Sequence, residues 1–310
     1  MVIGAPAAYR EHPGPLAIAH RGGAGLAAEN TLAAFARSYA LGVRFLETDV
    51  RRTRDGRVVA FHDARLDRVT GARGRVAART LAQLTRLAVQ GGAPVVALDD
   101  VLAAFPDACF TIDVKDPDVV APLADLLIRT GAAARVCIAG MRGAWLRAVA
   151  EVTGPQLSTA LSWRALAHFA SRQRTSYGGD HSAAFAHVPL RLGRIPVFRD
   201  DLVARAHDAG LRVIVWTVND PPTMHRLLDH GVDGVITDRP DLLREVLIAR
   251  GQWHGGRSAP QPAGDGTPSM RANSRAIVSP SVTPSPESAT TTSSPTPSGR
   301  NSARRVSART

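Results

Sequence analysis

Two short apolar stretches of the chain carry polar pairs at i, i+2, Glu47 with Asp49 and Asp113 with Lys115. On a strand that spacing turns both members of a pair to one face. The intervening Leu46, Thr48, Ile112 and Val114 then face the other way, as packing beneath outer helices requires. A third apolar run ends at His20-Arg21. Inward-facing acids at strand ends are costly unless something compensates them, and a cation is the simplest compensation. Carboxylates from two strands suit a hard ion with oxygen ligands, Mg²⁺ or Ca²⁺ rather than zinc. Lys115 is the only lysine among 38 basic residues, in a chain that otherwise uses arginine. A compact ammonium fits beside acids where a guanidinium fork is too bulky.

A second histidine is predicted to reach the same place. Asp55-Gly56 between two strand-like arms signals a two-residue hairpin. With those two residues at the turn, paired numbers sum to 111 and Asp49 lies opposite His62. His20 and His62 would then converge on a mouth holding Glu47, Asp49, Asp113, Arg21 and Lys115. That set suits phosphodiester cleavage. A divalent ion and the cationic side chains would neutralise phosphoryl oxygens. One imidazole would act as base toward the nucleophile and the other as acid toward the leaving alkoxide, in an order the sequence leaves open. His168, His181, His187, His207, His225 and His230 are expected in surface or capping roles.

The elements that would position these residues alternate in kind. Strands are predicted at Leu16–His20, Phe45–Val50, Phe110–Lys115, Val136–Gly140, Gln156–Leu161, Phe185–Pro189, Val213–Asn219 and Gly234–Thr237, with helices between most of them. Asn30–Leu41 reads as a helix capped by Asn30 or Thr31 and closed by Gly42. Strand-then-helix order means a parallel sheet, and eight units in about 235 residues match an α/β (β/α)₈ TIM barrel. In that fold the chemistry lies at the C-terminal ends of the strands. His20-Arg21-Gly22-Gly23 is not a dinucleotide fingerprint. The barrel is expected over residues 1–254. The Ser/Thr/Pro-rich basic segment 255–310 lacks large apolar residues and is expected to be disordered. Residues 172–182 read as a polar surface loop.

Composition excludes other classes. Net charge is +11, of which residues 256–310, with seven arginines and two acids, carry +5 and the rest +6. A moderately basic body attracts anionic small molecules. No nucleic-acid motif accompanies it, and aromatics are only 5%, too few for a stacking platform. The two cysteines, Cys109 and Cys137, sit in apolar runs and read as buried free thiols. The start lacks the pattern of a signal peptide, and no stretch approaches the ~20 apolar residues of a membrane span, so a cytoplasmic enzyme is expected. Oligomeric state is not legible.

The ordered set His20-Arg21-Gly22-Gly23, Glu29-Asn30-Thr31, Phe45-Leu46-Glu47-Thr48-Asp49-Val50, Thr53-x-Asp55-Gly56 and His62-Asp63-x-x-Leu66-x-Arg68-x-Thr70-Gly71 resembles the glycerophosphodiester phosphodiesterase family. Ile112-Asp113-Val114-Lys115 is similar to its third-strand motif. Val215-Trp216-Thr217-Val218-Asn219 and Gly231–Pro240 are similar to its last two strands. The resemblance spans about residues 15–250. It implies a (β/α)₈ barrel with an insertion near residues 63–95, and hydrolysis of glycerophosphodiesters to sn-glycerol 3-phosphate and an alcohol. It further implies His20 and His62 as the acid–base pair, and Glu47, Asp49 and Asp113 as ligands of Mg²⁺ or Ca²⁺. Arg21 and Lys115 would then contact phosphate and Trp216 the glycerol moiety. Asp113 departs from the glutamate of many relatives by one methylene. Two alternatives stay open: a phospholipase-type lyase that forms a cyclic phosphate, and a catalytically silent phosphate-binding barrel.

Overall fold

The computed structural model describes Tyr9 and residues 12–171 and 183–255. The expectations for the loop at 172–182 and for the tail beyond 255 fall outside the described residues. Eight parallel strands close on themselves: β1 (Leu16–Ala19), β2 (Phe45–Arg52), β3 (Cys109–Val114), β4 (Val136–Gly140), β5 (Ser158–Ala160), β6 (Ala183–Pro189), β7 (Arg212–Trp216) and β8 (Gly234–Thr237). Each pairs with the next, and β8 pairs back onto β1. Closure leaves no unpaired sheet edge among these strands. All eight predicted strands are present.

Alternation within the strands sorts the two cores. Leu46, Ile112 and Val114 face out and pack beneath the helices with Phe35, Leu102 and Leu127. Ile18, Phe45, Cys109, Cys137, Phe185, Ile214 and Ile236 face in and fill the lower barrel. Tyr9 closes that end, its ring edge-on to Phe45 at 5.3 Å and to Phe185 at 5.1 Å, with its hydroxyl against Thr111. The cysteines are buried and free, as the apolar runs around them imply. Thr31 rather than Asn30 caps the helix Leu32–Ala40, its hydroxyl accepting from the Ala34 N–H. Among the described residues no helix is long and apolar enough to cross a membrane.

The hairpin register differs from the expected one. Val50, Arg51 and Arg52 pair with Ala60, Val59 and Val58, so partners sum to 110 and Asp49 lies opposite Phe61. The loop has three residues, Arg54, Asp55 and Gly56, closed by Thr53 N–H donating to Arg57 O at 2.8 Å. Gly56 takes φ +80°, the left-handed position such a loop requires. Asp-Gly fits both loop lengths, which is why sequence alone selects the shorter. Beyond the arm, residues 63–95 form the expected insertion with a small core of its own, including Leu66, Val69, Val76 and Leu84.

Candidate active site

Residues between His20 and Ile236 meet at the upper end of the barrel in a cavity of about 350 Å³. Its lining includes every residue proposed from sequence: His20, Arg21, Glu47, Asp49, His62, Asp113, Lys115 and Trp216. The shifted hairpin still delivers His62, because the chain leaves its arm at Ala60 and turns inward, and Arg51 holds the His62 carbonyl with two N–H donors at 2.9 and 3.0 Å.

β1 ends in a tight turn that sets His20 and Arg21. Arg21, Gly22 and Gly23 all have positive φ, at 50°, 81° and 102°. For the non-glycine residue this is a sparsely populated conformation. It aims the Arg21 N–H at Glu47 Oε2, 2.7 Å away, and leaves the guanidinium Nε 3.4 Å from Asp49 Oδ2 and Nη1 2.9 Å from Glu29 Oε1. Asn30, also at positive φ (55°), donates to Asp49 Oδ2 at 3.0 Å and accepts from the Thr48 hydroxyl at 2.8 Å. Outward-facing Thr48 thereby buttresses its inward neighbour.

Each histidine has an aspartate at Nδ1. His20 Nδ1 lies 2.7 Å from Asp238 Oδ1, and Asn219 donates to the other carboxylate oxygen at 2.8 Å. His62 Nδ1 lies 2.6 Å from Asp63 Oδ1, whose other oxygen accepts from Arg68 Nε at 2.6 Å. An acceptor at Nδ1 fixes the tautomer and leaves Nε2 as the nitrogen that could exchange a proton. Glu29 bridges Arg68 to Arg21, so the insertion is tied to the barrel mouth by charge-assisted bonds. Asp238, Asp63, Glu29 and Arg68 stand within the recognised motifs, but sequence reading gave them no role, and it gave Asn30 only that of a possible helix cap. Topology offers one signal: a closed barrel sets β8 beside β1, which brings Asp238 to His20.

The environments are unequal. Burial would lower the His20 imidazole, but the bond to Asp238 and the charges of Glu47 and Asp238 outweigh it and raise its pKa. Burial lowers His62, with Asp49 and Asp63 offsetting only part. Glu47 is pushed up to about 7 by burial and by the Asp49 charge. Asp49 resists burial because Lys115, Arg21 and His62 surround it, and its pKa falls. Asp113 is raised by burial, which the Lys115 ammonium only partly counters. Asp63 is held down at about 2, chiefly by its bond to Arg68.

Lys115 Nζ lies 2.9 Å from Asp49 Oδ1 and 2.6 Å from Asp113 Oδ2, bridging strands that pair Asp49 with Asp113 in register. Among the described residues no three His, Cys, Asp or Glu side chains form a preassembled metal cage. The opposite wall is apolar: Leu161, Trp163, Leu166 and Trp216, with Trp163 and Trp216 edge-to-face at 5.7 Å, and the outlying Met141, which is 65% exposed. His187 also lines the cavity and is 9% exposed. It is a core strand residue, not the surface or capping histidine expected, because it occupies an inward position of β6.

Residues 20–242 match the Glycerophosphoryl diester phosphodiesterase family. A Mycobacterium tuberculosis protein described as a probable glycerophosphodiester phosphodiesterase 2 is 37% identical over 81% of this chain and 98% of its own length. The glycerophosphodiester phosphodiesterase of Caldanaerobacter subterraneus subsp. tengcongensis is 31% identical over 75% of this chain and 97% of its own. A crystal structure of a glycerophosphoryl diester phosphodiesterase from Silicibacter pomeroyi superposes with a TM-score of 0.65 at 28% identity, covering 78% of this chain and 96% of that one.

Proposed function

Since the chain belongs to the glycerophosphoryl diester phosphodiesterase family and is a phosphodiesterase of that type, we propose that it hydrolyses glycerophosphodiesters to sn-glycerol 3-phosphate and an alcohol by a metal-assisted, two-histidine mechanism. The observation that carries this reading is the pair of aspartate-anchored imidazoles, His20 and His62, on one cavity with the Glu47–Asp49–Asp113 carboxylates.

The donor set fits a hard divalent ion. The buried Glu47 carboxylate receives one N–H, from Arg21, and its nearest imidazole, His20 Nε2, is 4.0 Å away. That leaves oxygen lone pairs facing the cavity beside Asp49 and Asp113. Glu47, Asp49 and Asp113 would hold Mg²⁺ or Ca²⁺, which when bound supplies charge to the phosphoryl oxygens. Arg21 and Lys115 offer N–H donors to the same oxygens. One imidazole takes a proton from attacking water and the other returns one to the leaving alkoxide. Trp216 and its apolar neighbours flank the organic part of the diester and limit water around it.

The test is ³¹P NMR of glycerophosphocholine turnover across a panel of divalent ions and with chelator. Glycerol 3-phosphate is the expected product; accumulation of a cyclic phosphate would favour a lyase. His20→Ala and His62→Ala should each lower kcat by about 10²–10⁴. Full turnover by His62→Ala would rule out the acid–base pair. Calorimetric titration with Mg²⁺ or Ca²⁺ reports on the ligands separately from activity: Glu47→Gln should abolish the heat that the unaltered protein shows.

A further inference from the structure

β6 alternates strictly. Ala186 and Val188 face out into the helix-packed core, while Phe185 and His187 face in. His187 stands one inward position above Phe185, in register with Ile214 of β7, and Trp216 lies two residues further up that strand. In an eight-strand circle β6 is opposite β2, so His187 faces the carboxylate wall across the cavity.

Its imidazole is shut away from solvent at Nε2 and has no hydrogen-bond partner there. An unsatisfied buried polar group is destabilising and calls for an explanation. No hydrogen bond fixes the ring's tautomer or its orientation about χ2, so a turn that brings a nitrogen-bearing edge to the cavity breaks no bond. Burial alone lowers its pKa to about 4, so the ring is neutral near neutral pH. A neutral imidazole offers one donor and one acceptor. That complements a hydroxyl, which offers the same, and serves a phosphate poorly beside Arg21 and Lys115 on the opposite wall.

We propose that His187 is a specificity residue: beneath Trp216 and opposite the phosphate-facing wall, its unpartnered imidazole hydrogen-bonds a free hydroxyl of the substrate's glycerol moiety. The inference rests on the glycerophosphodiester reading above. It goes further by assigning recognition of the polyol to a group remote from the phosphate. A site built to bond a hydroxyl discriminates against the analogue that lacks it, because the protein group is then left unpaired.

The experiment compares binding of sn-glycerol 3-phosphate and propyl phosphate to the full-length protein by calorimetry, for the unaltered chain and for His187→Leu and His187→Gln. We expect the unaltered protein to prefer glycerol 3-phosphate about tenfold or more. His187→Leu should bring the two ligands to near parity by weakening glycerol 3-phosphate alone, and His187→Gln should restore part of the preference. A preference that survives His187→Leu, or its absence from the unaltered protein, overturns the proposal. Thermal melting checks that both variants fold. Turnover of glycerophosphocholine is measured in parallel. Preference without turnover sinks the catalytic reading and spares His187; turnover without preference does the reverse.

Discussion

Acid should destabilise this protein partly through one buried ring. His187 has a folded pKa near 4 against an ordinary value of 6.5. Between these values the unfolded chain binds a proton that the folded chain refuses, so stability falls as pH drops through 6.5 and levels off below about 4. The full gap of about 2.5 units corresponds to about 3 kcal/mol, and at pH 5 about 2 kcal/mol of it is already lost. Several carboxylates held below their ordinary range, Asp49, Asp63 and Asp238 among them, weaken the fold in the same direction. A difference measurement separates them. Leucine is close in volume to histidine, does not titrate, and removes the unpaired nitrogen, so His187→Leu should be at least as stable as the unaltered protein at pH 7.5. Urea unfolding at pH 7.5, 6 and 5, analysed for midpoint at constant slope, gives the comparison. The stability advantage of the variant should grow by about 2 kcal/mol between pH 7.5 and 5. Parallel curves would mean that His187 is protonated as readily in the folded state as in the unfolded one, and the argument from burial would be wrong.

Other outcomes follow from packing and from the polar network. A Cβ at Gly234 would sit 2.8 Å from Leu16 Cβ and Ile214 Cδ1, inside a strand pairing that closes the barrel, so Gly234→Ala should lower stability. The expected loss is about 1–3 kcal/mol by urea midpoint, and a neutral substitution would show that the strands can part at no cost. Asp63→Asn removes the charge shared by His62 and Arg68, so kcat should fall about ten- to hundredfold with KM nearly unchanged. Equal effects on both constants would point to lost binding instead.

Much of this site was legible because barrel chemistry follows strand ends. Glu47/Asp49 and Asp113/Lys115 announce themselves by i, i+2 spacing in otherwise apolar runs, and the structure turns both pairs inward. What sequence misses is what depends on distant pairing or on a single extra residue. Asp238 meets His20 across 218 positions, a contact made only by closing β8 onto β1. The hairpin pairing slips by one because Asp-Gly serves loops of two residues and of three alike. His187 was misjudged for a different reason. A lone histidine in an apolar strand carries no local mark of which face it occupies, and the face is set by the alternation of Phe185, Ala186 and Val188 around it.

The aromatic stopper made by Tyr9, Phe45 and Phe185 has a consequence for traffic. Among the described residues these rings fill the lower barrel, so on the proposed reading diester, water and both products would share the doorway at the top. If the two fragments sit one above the other in that cavity, release would be ordered, and the last fragment to leave would compete directly with incoming diester.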